Sequence, residues 1–173
     1  MDFYPVRLFT LVLHLNFYVP SMISLKTTNS EDNDFIQLVS KLDADLRLRD
    51  GDEHAFYAQF NKIDQIKHVV IAYHEEKPVG CGAIKPYDKD TMEVKRMFVL
   101  PELRGMGIAS KVLSELEQWA AELGYAKCIL ETGVKQPEAI ALYTKNSYYR
   151  IPNYGQYKDA KSSVCFEKKV KQS

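Results

Sequence analysis

From residue 23 onward the chain changes hydrophobic rhythm repeatedly, between strict alternation and three-to-four-residue spacing. Ile23 to Thr27 is a short strand candidate, and the polar run Thr27–Asp34 after it offers Ser30 or Asp32 as a helix cap. Phe35, Leu38, Val39 and Leu42 then recur at helical spacing and define one apolar face. Asp50-Gly51-Asp52 breaks that unit, and a second helical segment is expected from about Glu53 to Ile63. The β-branched run Val69–Tyr73 and the run Val79–Ile84, joined by His74-Glu75-Glu76-Lys77-Pro78, predict an antiparallel hairpin. A further strand covers Met92–Val99 and stops at Leu100-Pro101. The clearest helix follows. Ile108, Val112, Leu116, Trp119, Ala120 and Leu123 share one face, Lys111, Glu115 and Glu122 the other, and Gly124 closes it. Cys128–Leu130 reads as a short buried strand, and Pro137 opens a helix carrying Ala139, Leu142 and Tyr143. Tyr148-Tyr149 and Ser163–Phe166 are final strands around an irregular loop, Pro152–Ala160. With no repeat and no linker, residues 23–173 read as one α+β domain on a mixed, mostly antiparallel sheet.

Composition narrows the function classes. The 173 residues are 46% hydrophobic, enough for a sizeable core, which excludes wholesale disorder. Twenty-three basic and 23 acidic side chains cancel, so there is no global field for gripping nucleic acid or an anionic membrane. Cys81, Cys128 and Cys165 are an odd, widely spaced set in apolar runs, which fits reduced core thiols of a cytoplasmic protein rather than disulfides or a zinc site. Four scattered histidines, His14, His54, His68 and His74, show no metal-ligand spacing, so no metal is expected. Residues 1–22 stand apart. Leu8–Val19 is mostly apolar but too short to span a bilayer, and as a secretory signal it lacks a cleavage site. The segment is read either as an extra strand or arm, or as sequence upstream of a start at Met22.

The chemistry concentrates in residues 92–110, MEVKRMFVLPELRGMGIAS. A strand ends, a proline turn follows, and Arg104-Gly105-Met106-Gly107-Ile108-Ala109 enters the long helix. Glycines let the backbone approach an anion, and the first helical N–H groups have no internal partners. With the macrodipole behind them they suit a diphosphate, to which Arg104 adds charge. A Walker loop is excluded because no lysine stands where it is required, and the third glycine of a dinucleotide fingerprint is missing.

The spacing Arg104-x-x-Gly107-x-Ala109 resembles motif A of the GNAT superfamily of N-acetyltransferases, [QR]-x-x-G-x-[GA]. Gln136-Pro137-Glu138-Ala139-Ile140-Ala141-Leu142-Tyr143 is similar to the family's N-x-x-A-x-x-L-Y helix, with glutamine in place of asparagine. Asn146-Ser147-Tyr148 replaces the common x-G-F/Y. The resemblance implies a three-layer fold with helices on both sheet faces and acetyl-CoA as cosubstrate. It places the pantetheine arm along Met97, Phe98 and Val99, and the diphosphate over the backbone of Arg104, Gly105, Met106, Gly107, Ile108 and Ala109. Gln136 is a further cofactor contact.

Amide formation needs a neutral amine, and deprotonating a lysine-like amine at pH 7 costs roughly 4–5 kcal/mol. A positioned carboxylate that takes the proton commonly contributes about 10²–10⁴-fold. Glu93 matches the family's frequent base position. It stands four residues before Met97 and therefore on the same face by strand alternation. The other reading is a carboxylate paired with Lys95 or Arg96. Tyr143 alone would be a core tyrosine; its place in the motif implies the acid that protonates the CoA thiolate. No cysteine or serine triad is legible, so direct attack of the amine in a ternary complex is expected.

The acceptor side is marked only by charge and aromatics. Residues 30–60 hold eight acids against three bases, an acidic wall for a cationic amine or simply a solvated face. Tyr148, Tyr149, Tyr154 and Tyr157 could cover the acceptor or form a homodimer surface. The expected activity is acetyl transfer to a primary amine of a small molecule or protein, with no nucleic acid or membrane as partner. A non-catalytic acyl-CoA-binding module is the alternative, and a nucleotide-binding protein a second one.

Overall fold

Among the described residues seven strands form one sheet: β1 (Ile23–Thr28), β2 (His68–His74), β3 (Lys77–Pro86), β4 (Thr91–Val99), β5 (Lys127–Gly133), β6 (Tyr149–Ile151) and β7 (Ser163–Lys169). Their spatial order is β1-β2-β3-β4-β5-β7-β6, and every pairing is antiparallel except β4 with β5. The described residues also form four α-helices: α1 (Asn33–Asp50), α2 (His54–Ala58), α3 (Ile108–Glu122) and α4 (Pro137–Lys145). This computed structural model describes residues 22–51, 54–64 and 66–170. The expectations for the N-terminal segment therefore lie outside the described residues, Met22 apart. Among the described residues no helix is long and apolar enough to cross a membrane.

Local sequence explains most boundaries. Asp32 caps α1, accepting from the Asp34 N–H at 2.9 Å and from the Lys26 ammonium at 2.8 Å. Gly51, with φ of 56°, ends the same helix. Pro137 occupies the first turn of α4, where its missing N–H costs nothing. The helix expected over residues 53–63 is a correction: α2 is five residues long. Beyond it the Asn61 carbonyl accepts from Arg96 at 3.2 Å and the Phe60 ring meets Tyr157 edge-on at 5.8 Å. These tertiary contacts replace a further helical turn. Leu123 is also corrected, since α3 ends at Glu122 and Leu123 is 44% exposed while Leu113 is buried in its stead.

Two apolar cores flank the sheet. Phe35, Leu38, Val39 and Leu42 of α1 pack on Val69, Ile71, Cys81, Ala83 and Phe98. On the opposite face α3 and α4 cover Val70, Ala72, Met92, Val94, Val99, Cys128, Leu130 and Phe166. The three-layer arrangement with helices on both faces, expected from the sequence resemblance, is thus present. Gly82 sets how closely α3 approaches: a Cβ there would fall 2.3 Å from the Met97 sulfur and 2.9 Å from both Val112 and Leu116 side chains.

One irregularity positions the site. The β3–β4 register slips by one residue between Cys81↔Phe98 and Ala83↔Lys95, and inside that bulge Arg96 takes φ of 57°. Met92 and Val94 before it, and Met97 and Val99 after it, all pack toward α3, whereas Phe98 packs toward α1.

Gly82→Ala is expected to destabilise the fold by about 1–3 kcal/mol through overpacking of the α3 interface. Urea unfolding monitored by circular dichroism measures it, and an unchanged midpoint would contradict this packing.

Candidate active site

The parallel pairing of β4 with β5 lasts for three residue pairs, Thr91↔Lys127, Met92↔Cys128 and Glu93↔Ile129. Past Glu93 the bulge at Arg96 carries β4 away from β5, and a cavity of about 390 Å³ opens between them. It is lined by Val94–Val99 on one lip and by Glu131, Thr132 and Gly133 on the other. Residues from both sheet faces reach it: Leu42 and Leu46 of α1 and Tyr57 of α2 from one side, Ile108 of α3 and Tyr143 of α4 from the other. The gap is therefore a passage through the sheet.

At one mouth lies the glycine turn. Gly105 and Gly107 have φ of 84° and 80°, the left-handed region, and each Cβ position faces space empty within 4 Å. Gly107 is the N-cap of α3, and no side chain caps the helix, so its leading N–H groups point outward toward the mouth. Arg104, Gly105, Gly107, Ile108 and Ala109 line the cavity, as do Met97, Phe98 and Val99. Met106 does not; it is 53% exposed. The Arg104 guanidinium turns toward α1 rather than lying over the glycines. It donates to the Val99 carbonyl at 3.1 Å, approaches Asp45 at 3.4 Å and Glu138 at 3.8 Å, and lies 5.9 Å from the Phe98 ring centre.

Deeper in the passage Tyr143 is buried against Tyr148 and Phe166. Burial first, and the charge of Glu131 second, push its phenol well above the ordinary range, so it stays a proton donor. Gln136, just ahead of α4, also lines the cavity, and its Oε1 accepts from Thr132 at 3.3 Å. Sequence reasoning missed Glu131. It lines the cavity on the α1–α2 side and accepts a 2.6 Å hydrogen bond from Ser163 Oγ. Tyr57 Oη stands 3.1 Å from Ser163 Oγ and 2.7 Å from Ser162 Oγ, which extends the chain of hydroxyls. The available signal was a lone acid in Lys127–Gly133, outward-facing by alternation from buried Cys128 and Leu130.

The same-face premise for Glu93 and Met97 is corrected, because the bulge inverts the alternation between them. Glu93 is 1% exposed and does not line the cavity. Its carboxylate accepts from Tyr154 Oη at 3.0 Å and lies 3.6 Å from each of Lys85 and Lys95. Lys95 does reach the cavity, donating to Tyr157 Oη at 3.0 Å. The acidic wall expected from residues 30–60 is largely engaged: Asp43 pairs with Arg96 at 2.8 Å, and Asp45 with Arg49 and Arg104. Arg49 also pairs with Glu138, tying α1 to α4. The four tyrosines do not form one surface. Tyr157 lines the cavity, Tyr154 holds Glu93, Tyr148 is buried behind Tyr143, and Tyr149 is exposed on β6 beside Glu167. None of the cysteines lines the cavity, and burial pushes the Cys81 and Cys128 thiols up to about 12 and Cys165 to about 11. Burial thus keeps the three thiols protonated.

A sequence profile for the Acetyltransferase (GNAT) family matches residues 35–148. The chain is 38% identical over 100 residues to an IAA acetyltransferase of Azospirillum brasilense, a match covering 57% of this chain and 65% of that relative, less than two thirds of its length. Among solved structures, a Klebsiella pneumoniae protein named as an acyl-CoA N-acyltransferase superposes with a TM-score of 0.73 at 28% identity, covering 87% of this chain and 99% of that one. A GNAT family acetyltransferase of Elizabethkingia anophelis, solved with acetyl-CoA bound, superposes with a TM-score of 0.61 at 17% identity over 86% and 98% of the two chains, which speaks to fold alone.

Since space at Gly107 is open, Gly107→Ala costs only the left-handed backbone, about 1–2 kcal/mol. Gly107→Asn, which tolerates that region, costs less. Thermal unfolding of both variants tests this, and equal losses would mean that the turn is not fixed by its φ.

Proposed function

The chain belongs to the GNAT acetyltransferase family, and from that premise we propose that it transfers an acetyl group from acetyl-CoA to a primary amine by direct attack in a ternary complex. One observation carries the reading: a passage through the sheet joins an uncapped, glycine-formed helix start at one mouth to Tyr143 and Glu131 within. The passage is a fit for a long anionic thioester. The helix start and its glycine turn leave room for a diphosphate, and the β4 edge past Glu93, unpaired with β5, offers Met97 and Phe98 backbone groups to a pantetheine arm. Arg104, Ile108, Ala109 and Gln136 border the same path.

Tyr143 and Glu131 divide the proton work. The amine enters from the α1–α2 side, where Glu131 faces the cavity. As the C–N bond forms, the amine's proton passes to the Glu131 carboxylate, from which Ser163, Tyr57 and Ser162 lead outward. As the C–S bond breaks, Tyr143, held protonated by burial, donates to the departing sulfur. Glu93 acts one layer behind, holding Lys95 in place, and is a positioning residue rather than the base. Thiol chemistry is not needed, because the three cysteines are buried and protonated.

Calorimetry with acetyl-CoA, together with CoA release in the presence of a panel of amines, tests the reading. Binding with turnover supports it, binding without turnover across the panel favours the non-catalytic alternative, and displacement by ATP or NAD but not CoA favours a nucleotide-binding protein. Gly107→Glu, which puts bulk and negative charge at the helix start, abolishes the binding heat. Tyr143→Phe and Glu131→Gln each lower kcat by about 10²-fold while retaining acetyl-CoA affinity. Unchanged turnover removes the residue concerned from the mechanism.

A further inference from the structure

We propose that the acceptor is an amino carboxylate, a primary amine bearing a carboxylate a few bonds from its nitrogen, seated with that carboxylate on Lys95 and its amine toward Glu131. The inference rests on the acetyl-transfer reading and specifies its acceptor. At the α1–α2 end the cavity has an apolar wall from Leu42 and Leu46. Around it stand two cations from one strand, Lys95 and Arg96, and the carboxylate of Glu131, while Asp45 of α1, which also lines the cavity, is paired with Arg49 and Arg104.

Lys95 is built as a receptor rather than as a solvated surface charge. Its side chain is one-tenth exposed, and burying an ammonium is costly even when it is paired. Glu93, buried behind it at 3.6 Å and anchored by Tyr154 and Lys85, pairs with the ammonium where an apolar residue would have been the simpler filling. An ammonium carries three donors. One is given to Tyr157 Oη at 3.0 Å and one side faces Glu93, which leaves a donor for a ligand in the cavity. Arg96 beside it adds positive potential, and its buried Nε–H has no hydrogen-bond partner.

Tyr157 fixes the spacing. It contacts Lys95 directly and lines the same cavity, and Lys95 and Glu131 each stand two residues past the last β4–β5 pair, so the cation and the carboxylate face one cavity from adjacent strands. An acceptor bridging them has its two charged ends a few bonds apart. A polyamine is disfavoured on the same grounds. The α1 acids that would attract it, Asp43 and Asp45, are paired with Arg96, Arg49 and Arg104, and Lys95 repels a second cation.

The test is a comparison of kcat/KM for phenylalanine, its methyl ester, phenethylamine and spermidine with acetyl-CoA as donor. Phenylalanine is expected to exceed phenethylamine and the ester by about 10- to 100-fold, the usual worth of a hydrogen bond to a charged group. Lys95→Gln collapses that ratio toward one, and Lys95→Arg restores part of it. Because the readout is a ratio between acceptors on the same enzyme, partial unfolding of a variant does not imitate the result. Equal or better turnover of phenethylamine, the ester or spermidine overturns the inference and leaves acetyl transfer standing. Acetyl-CoA binding with no transfer to any of the four also overturns it. Failure to bind acetyl-CoA removes the transfer reading itself.

Discussion

A bulky, charged residue held in the left-handed region in the middle of a strand is the constraint on which the site depends. Arg96 pays about 1–2 kcal/mol for that backbone. The guanidinium recovers energy of similar size by donating to Asp43 at 2.8 Å and to the Asn61 carbonyl at 3.2 Å, hydrogen bonds of a charge-assisted kind. Those partners come from α1 and from the segment after α2, so the helical layer on one face holds open the strand beneath it. Without the extra residue β4 would continue beside β5 and the sheet would be closed where it is now open. The bulge also turns Met97 and Val99 toward α3, which lets the same strand finish the core on one face and line the passage on both.

The mouth of the passage is governed by a second balance of charge. The start of α3 presents unpaired N–H groups and the positive end of a dipole, a site that favours an anion. Nearby, Arg104 and Arg49 are held by Asp45 and Glu138, so the side-chain charges at this edge largely cancel before any ligand arrives. What remains to attract a diphosphate is the backbone itself, aided by any guanidinium that exchanges a carboxylate for a phosphate. The glycines matter here through what they omit. Open space at both Cβ positions lets an anion come close to the amides, and the left-handed φ aims those amides at it.

Much of this was legible in the sequence, and the failures have physical causes. Helical spacing identified α1, α3 and α4, a β-branched run and the turn after it identified the β2–β3 hairpin, a strand was placed over Met92–Val99, and the glycine loop was placed at the start of α3. The second helix was overextended because Phe60 and Asn61 obey tertiary contacts that no local rule encodes. Glu93 was put on the face of Met97 because regular alternation was assumed through residues 92–99. The sequence did contain the contrary sign. Val94 and Met97 are both core residues an odd number of positions apart, and regular alternation would have sent Arg96 into the same core as Val94. Glu131 was invisible for another reason: its access depends on the divergence of β4 from β5, a property of two strands more than thirty positions apart in the chain.

Two glutamates on neighbouring strands show why access, rather than residue type, assigns a role. Glu93 and Glu131 both lie on the α1–α2 side of the sheet, and each receives a hydroxyl hydrogen bond, from Tyr154 and Ser163. Glu93 sits where β4 and β5 are still paired, so no ligand can reach it, and two lysines hold its charge in place. Glu131 sits two residues beyond the last pair, where the strands have parted, and the hydroxyls of Ser163, Tyr57 and Ser162 stand behind it. A carboxylate closed off among packed side chains cannot meet a substrate's proton, whereas one that lines the cavity can. The point at which the strands separate therefore determines which carboxylate is closed off and which lines the cavity.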